Sequence, residues 1–421
     1  MSSPATTRDL FVRNSYLIGN IRSFPSHPLI WSSFYWYSSK LNILKIVLNK
    51  LNTYFYQIHK KNFMVTTDNS IAIKVQKTTI PRINELDYNQ ITFGKLFSDH
   101  MFYTDFKNNE WCDAQIVPYG PIPMSPATSA LHYGQAIFEG MKAYKNDKGE
   151  VFLFRPLDNH KRINISAERM AMATIPQEVF MAGLTQLISL DRDWVPDTEG
   201  SSLYIRPFIV GTDEFIGVKP SENYRFYIIT SPAGKYYNEP VKVLVETNYI
   251  RAVEGGVGYV KASGNYGRSL FPAKLAQQRG YHQIIWTDAR NHRYLEESGT
   301  MNLFVVIDDV LITPPLGDTI LAGITRDSVL TLARDWKMKV QERKISIDEV
   351  LDAHKSGTLD DAFGTGTAAT IAQIAQIGFE GKDYLLPPVE GRIFSNRVAK
   401  ELDNIRTGKI EDKHNWMYKV K

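Results

Sequence analysis

Between residues 151 and 230 the hydrophobic period switches repeatedly. VFLF (151–154), SLYIRPFIVG (202–211) and YRFYIIT (224–230) are rich in β-branched and aromatic residues and read as strands. Between the first and second, Ile163, Ala167 and Met170, then Phe180, Leu184, Leu187 and Ile188, recur at helical spacing, which predicts two helices with one apolar face each. A chain that alternates periods of 2 and 3.6 lays helices on a sheet, an α/β arrangement, and is neither an all-helical bundle nor an all-β sandwich.

The pattern restarts further on. SPAGKYYNEP (231–240) has two prolines, a glycine and no periodicity and predicts an interdomain connection. Beyond it HQIIWTD (282–288) reads as a strand, and FVVIDDVLIT (304–313) as a strand pair folded at Asp308 and Asp309. Val329, Leu330, Ala333 and Trp336 mark a helix face starting just after GIT (323–325). The expected organisation is an extension over 1–63, a small α/β domain over 64–230, a linker over 231–240 and a larger domain over 241–421. A chain of 421 residues is long enough for two cores.

Charge is uneven along the chain. Residues 1–63 carry eight Lys/Arg against Asp9 alone, +7, so the remainder of a chain of net +4 holds −3. A slightly acidic body argues against nucleic acid as a partner. The extension itself, poor in acid, with LNILKIVLNKL (41–51) able to form a basic amphipathic helix, resembles an organelle transit peptide. The competing reading is an unstructured extension or residues upstream of a start at Met64. The expected compartment is the cytoplasm, or the mitochondrion if residues 1–63 act as a transit peptide. Lys45 and Lys50 interrupt the longest apolar stretch, short of the ~18 residues a membrane span needs. One cysteine, Cys112, excludes an internal disulfide framework and a cysteine zinc cluster, and no metal site is expected.

The chemistry concentrates around YVKASGNYGRSL (259–270), where Lys261 stands among small residues ahead of a helix start. A loop lysine is most often simply solvated. A desolvated lysine amine, however, is a nucleophile that forms a Schiff base with a carbonyl compound. If that carbonyl belongs to pyridoxal phosphate, the chain must also supply an acid for the pyridinium nitrogen, a phosphate cup and a donor for the ring oxygen. EESGTMNLF (296–304) offers the acid before a tight Ser-Gly turn, and GIT ahead of a helix offers amides for a phosphate. FGTGTAAT (363–370) is a second run of small residues and hydroxyls. GTGTAA also matches a dinucleotide fingerprint, but it lies near the carboxyl end, with Glu380 and Asp383 only 14 and 17 residues after Gly366, which disfavours a nicotinamide enzyme.

Six ordered motifs, LHYGQAIFEGMKAY (131–144), YIRPFIVG (204–211), VKASGNYG (260–267), EESGTMNLF (296–304), ITPPL with TILAGITRDS (312–328) and FGTGTAAT (363–370), resemble those of the branched-chain amino acid aminotransferases, fold-type IV pyridoxal phosphate enzymes. The resemblance implies a mixed α/β two-domain fold whose larger carboxyl-terminal domain holds a pseudo-barrel of strands. It implies that Lys261 carries the cofactor and moves a proton between substrate Cα and the cofactor's C4′ carbon, that Tyr266 bonds the ring oxygen, and that Glu297 rather than Glu296 meets the ring nitrogen. Arg162 rather than Arg155, with Ile324, Thr325 and Thr367, would hold the phosphate. Thr367 and Ala368 would present donors to the substrate carboxylate, Tyr133, Phe138, Tyr204 and Thr300 would wall the site, and Arg206 would accept the distal carboxylate of glutamate. Ile216 and Val218 match positions lent to the neighbouring subunit's site, so a homodimer is expected. Where some members carry a redox CxxC this chain has Ala369, Thr370, Ile371 and Ala372, so that thiol switch is absent. The implied reaction exchanges amino groups between leucine, isoleucine or valine and 2-oxoglutarate. A D-amino acid aminotransferase, an aminodeoxychorismate lyase and a non-catalytic relative of the same fold are the rivals.

Overall fold

The amino-terminal half of the described chain lays down eight strands: β1 (Lys74–Val75), β2 (His100–Lys107), β3 (Glu110–Pro118), β4 (Ala136–Phe138), β5 (Met141–Lys145), β6 (Val151–Phe154), β7 (Ser202–Gly211) and β8 (Tyr224–Ala233). The computed structural model describes residues 71–87, 91–234 and 239–421, all within one compact unit, Ser70–Lys421. The extension over 1–63, its amphipathic run and residues 235–238 of the expected linker lie outside the described residues.

These strands join in the order β1-β3-β2-β8-β7-β5-β6, with β4 on β7. α1 (Ser129–Tyr133) is a single short turn, whereas α2 (Pro156–Arg169) and α3 (Gln177–Leu190) are full helices. α2 starts at Pro156, whose fixed φ and missing N–H suit a first helical position. Phe180, Leu184, Leu187 and Ile188 of α3 and Ile163 and Ala167 of α2 are buried in one core with Phe102, Ile116 and Phe226. Gly183 lets α3 approach closely, because a Cβ there would lie 2.6 Å from the Phe102 ring.

β8 runs three residues into the stretch expected to be linker. Ser231, Pro232 and Ala233 pair with Tyr204, Leu203 and Ser202 of β7. Proline is tolerated there because β2 pairs with β8 only over Tyr224 to Ile228, so the missing N–H of Pro232 faces no second neighbour.

The second half supplies β9 (Val241–Val245), β10 (Gln283–Thr287), β11 (Leu295–Ser298), β12 (Met301–Ile307), β13 (Val310–Thr313), β14 (Lys339–Glu342), β15 (Leu359–Gly366), β16 (Thr370–Phe379) and β17 (Lys382–Leu385). Six of them close into a ring, β11-β10-β9-β16-β15-β12, because β12 also pairs back onto β11. Closure removes the open edges of those strands, and Val243, Ile285, Leu303, Val305, Ala362 and Ile374 share its core. The β12–β13 hairpin turns at Asp308 and Asp309, both left-handed with φ of 48 and 60°, as a two-residue hairpin loop requires.

Four helices complete this half: α4 (Ser263–Gln278), α5 (Ile324–Asp335), α6 (Ile347–Ser356) and α7 (Ile393–Arg406). α5 begins inside GIT, at Ile324, with extended Gly323 as its cap, rather than after Thr325. α6 opens on a Ser346 hydroxyl accepting from the Glu349 amide and ends on left-handed Gly357, the usual start and stop chemistry. β18 (Met417–Lys419) returns to pair with β6 of the first sheet. A third core joins Tyr144, Phe154 and Trp416 to Phe304, Val329, Phe363, Phe394 and Val398, so the two sheets are packed together. Among the described residues no helix is long and apolar enough to cross a membrane.

Candidate active site

Lys261 is held where the two sheets meet. Its amide donates to Ser166 Oγ of α2 at 3.1 Å, its carbonyl accepts from the Phe138 amide at 3.1 Å, and the next residue, Ala262, bridges Ile137 of β4. With the backbone fixed from both sides, the side chain enters a cavity of ≈ 620 Å³. There Nζ donates to Tyr266 Oη at 2.8 Å and lies 5.0 Å from the centre of the Phe138 ring. Tyr266 reaches that spot because it sits on the first turn of α4, five residues on.

Phe93, Phe138, Tyr204, Phe208, Val210 and Ile229 give the cavity an apolar side, while Arg206, Thr300, Thr367 and Ala368 line the rest. Arg206 Nη2 donates to Tyr204 Oη at 2.9 Å, and its guanidinium lies 4.6 Å from the Phe138 ring centre, a cation–π contact. Gly140 permits this packing, since a Cβ there would meet Tyr204 Oη at 2.3 Å. Its carbonyl accepts from Thr367 Oγ1 at 3.0 Å.

A separate small cavity of ≈ 20 Å³ shares Tyr266 and Thr300 with the main one and is lined also by Glu297 and Arg251. Glu297 is 3% exposed. Its Oε1 accepts from the Leu321 amide at 2.8 Å. Oε2 lies 3.3 Å from Arg251 Nε, near enough for ion pairing, yet that N–H makes no hydrogen bond. Oε2 is therefore able to accept a further donor. Burial pushes the Glu297 carboxyl up, with Arg251 opposing it. Its neighbour Glu296 points the other way, onto a separate cavity bordered by Asp288, Asp318 and Lys344, as strand alternation demands.

Arg162 is buried in α2 and does not reach the main cavity wall. Nε and Nη2 donate to the two oxygens of Glu139 at 2.8 Å each, and Nη1 donates to the Ala322 carbonyl at 3.0 Å. Burial alone pulls the guanidinium down, and Glu139 more than reverses that. The Ala322 contact sets Arg162 beside the start of α5, where Ile324 and buried Thr325 lie. Sequence reasoning missed Glu139, whose only signal was an acid after an apolar strand run in IFEGMKAY. Arg155 instead ties α2 to α5, through Ser328 Oγ at 2.9 Å and Asp327 at 2.7 Å.

Three expected site residues stand elsewhere. Tyr133 is not on the wall of the cavity in its own chain; it ends α1 on the surface and its hydroxyl donates to the Ile216 carbonyl. Ile216 is 68% and Val218 88% exposed. GTGTAA joins β15 to β16 as an antiparallel hairpin, not a strand to a helix, so it lacks the setting a dinucleotide fingerprint requires.

The two adjacent acids differ in a way stability can report. Burial raises the Glu296 carboxyl from 4.5 to about 7, and its Oε2 has no hydrogen-bond partner. Between those values the unfolded chain has released this proton and the folded one keeps it, so this group's contribution to stability falls as pH rises from 4.5 to 7. Glu296→Gln is expected to raise stability at pH 8 by about 1–3 kcal/mol, less than a shift of that size alone would give because some solvent reaches the group. Urea unfolding at pH 8 and pH 4 checks this, the gain being confined to pH 8.

Comparison with known proteins gives a consistent result. The model of the amino-transferase class IV family matches residues 136–377. Branched-chain-amino-acid aminotransferase 2 of Bacillus subtilis is 42% identical over 358 residues, 84% of this chain and 98% of that protein. Branched-chain-amino-acid aminotransferase of Mycolicibacterium smegmatis is 41% identical over 337 residues, 78% of this chain and 92% of that protein. Among solved structures, a branched-chain aminotransferase from Thermoproteus uzoniensis with norvaline superposes with a TM-score of 0.63 at 26% identity, covering 76% of this chain and 100% of that one. The Escherichia coli branched-chain amino acid aminotransferase gives 0.62 at 27% identity, over 76% of this chain and 99% of that one. The family match spans more than half of the sequence and the relatives align over nearly their whole length; this chain belongs to the amino-transferase class IV family.

Proposed function

We infer that this chain binds pyridoxal 5′-phosphate and transfers amino groups between branched-chain L-amino acids and 2-oxoglutarate. The observation that carries the reading is the Lys261 amine bonded to Tyr266 in a largely apolar cavity, beside a small cavity lined by Tyr266, Thr300 and the buried Glu297 carboxylate. The names of the relatives, which share 42% and 41% identity with this chain, support the same substrate class.

The residues suit that cofactor. Glu297 Oε2, accepting no aligned hydrogen bond, would take the ring N–H, and Tyr266 the ring oxygen. Arg162 has three of its donors occupied by Glu139 and Ala322, leaving two of a guanidinium's five N–H for a phosphate. The free amides at the start of α5 add to these. When bound, the cofactor supplies an electron sink that stabilises negative charge at the substrate's Cα.

The chain's own groups do the rest. Lys261 is the amine lining the cavity and would take and return the Cα proton, with Tyr266 fixing its position. Thr367 and Ala368, on the β15–β16 turn, would hold the substrate α-carboxylate. The Phe138, Tyr204, Phe208, Val210 and Ile229 surfaces exclude water around a branched side chain, and Arg206 would meet the second carboxylate of glutamate. Following glutamate formation from 2-oxoglutarate across a panel of amino donors tests the reading. Leucine, isoleucine and valine should lead, whereas a preference for D-alanine would move the assignment to a sister activity.

A homodimer belongs to the same reading. Tyr133, Ile216 and Val218 form an exposed apolar group that would complete the neighbouring subunit's cavity. Val218→Asp should convert dimer to monomer in sedimentation velocity and raise KM for leucine, because burying an unpaired carboxylate at an interface is costly. A variant that remains dimeric with unchanged KM would remove this surface from the interface. A single free cysteine, Cys112, accords with work in the reducing cytoplasm.

A further inference from the structure

The β15–β16 turn has two faces. One lines the main cavity through Thr367 and Ala368; the other closes a second cavity of ≈ 230 Å³ bordered by Lys142, Ser201, Ser202, Thr370, Asp403 and Arg406. We propose that this second cavity binds a small oxyanion, a carboxylate or a phosphate, on Lys142, Arg406 and Ser202, and that the bound anion steadies the turn that faces the substrate.

Unmatched charge is the first reason. Lys142 is 8% and Arg406 5% exposed, and among the described residues neither forms an ion pair. Burying a charge is unfavourable unless a partner compensates it; Arg406 lies over the Phe154 and Tyr144 rings, 4.3 and 5.7 Å from their centres, but among the described residues neither cation on this wall meets a carboxylate. The nearby carboxylate, Asp403, lies 3.9 Å from Lys409 and is paired with it.

Unused donors are the second. Lys142 Nζ donates to the Ala368 carbonyl at 2.8 Å, one of the three bonds an ammonium can give. Arg406 Nη1 donates to Thr370 Oγ1 at 2.8 Å, but its Nε has no partner, and neither does the Ser202 hydroxyl, only 1% exposed. Buried polar atoms of this kind are normally satisfied, and an oxyanion would satisfy all three sites together. At about 30 Å³ per water, the cavity has room for such an ion and some hydration.

Coupling to the turn follows from these same bonds. Lys142 holds the Ala368 carbonyl, and Arg406 holds Thr370, a β-branched residue at φ 57°, where such residues are strained. Without an anion, burial brings the Lys142 ammonium down to about 7, with Arg406 adding to the effect. Among the described residues Tyr144 and Asp403 are the other titratable groups at this cavity. An anion beside it favours the charged form, and a charged donor makes the stronger bond to Ala368.

Calorimetric titration of the holoenzyme with inorganic phosphate and, separately, with malonate tests the site. One ion per chain should bind at pH 8 with uptake of a proton by Lys142, seen as a dependence of the heat on buffer ionisation enthalpy. Binding should weaken ~10-fold or more in Arg406→Gln and remain in Arg206→Gln, whose side chain lines the main cavity. The tighter of the two probes identifies the anion class. Ser202→Asp places a tethered carboxylate between the cations; it should abolish binding of both probes and raise Tm, which keeps the test valid if Arg406→Gln fails to fold. Absence of binding by either probe, binding lost in Arg206→Gln but kept in Arg406→Gln, heats independent of buffer, or a Ser202→Asp chain that still binds would each overturn the proposal.

Discussion

Lys261→Ala is expected to lower amino-group transfer by at least ~10⁴-fold, since in the proposed reaction it would remove both the nucleophile and the proton carrier. The same change should eliminate the visible absorbance band that the proposed cofactor, bound through this lysine, would give. Among the described residues no other lysine lines the main cavity, and Arg206 cannot substitute because a guanidinium does not give up its proton at working pH. The fold should survive, because the contacts at residue 261 with Ser166 and Phe138 run through its backbone N–H and carbonyl. An unchanged melting temperature together with lost activity is therefore the expected pair of results. Turnover within about tenfold of the parent, with the band intact, would remove this lysine from the chemistry.

The largest effect on stability is expected at Glu139. Glu139→Ala leaves the Arg162 guanidinium buried with only the Ala322 carbonyl, and also strips an acceptor from Asn159 Nδ2, which donates to Glu139 Oε2 at 2.7 Å. Removing one partner of a buried pair costs about 3–5 kcal/mol, chiefly through the charge left behind. For a unit of this size that corresponds to a fall in Tm of roughly 4–7 °C. Glu139→Gln, which retains acceptor capacity, should lose less. Calorimetry of the three proteins checks the order, and a Glu139→Ala protein melting with the parent would show that Arg162 has other means of compensation.

Much of the fold was legible in the sequence because hydrophobic period carries it. SLYIRPFIVG became β7 over its full length, and the paired acids at 308–309 turned a hairpin because both accept left-handed φ. Ring closure was implied by the family resemblance and not by any period, since strand order depends on contacts distant in sequence. The prolines at 232 and 240 suggested a linker from residue 231, yet Pro232 is held in β8 where it faces a single neighbour. Adjacent acids at 296 and 297 could be separated by alternation, but nothing local revealed that Arg251 would stand beside Glu297, 46 positions away. Likewise Glu139 and Lys142 sit in a motif read for its aromatic walls, and their partners, Arg162 and the Ala368 carbonyl, lie on other elements. Tyr133 shows the same limit: its motif gives an aromatic near the site, whereas the direction in which α1 leaves the sheet sets where its ring stands.

The return of β18 to β6 has a consequence for how this protein is made. The backbone bonds from the Val420 amide to Val151 and from the Arg155 amide to Trp416 join residues more than 250 positions apart, so the β6 side of the first sheet waits as an unzipped margin until residues 416–420 have left the ribosome. During synthesis that margin is open to pairing with another nascent chain, and fusions or deletions at this end of the polypeptide should show up first as aggregation in the cell rather than as altered kinetics.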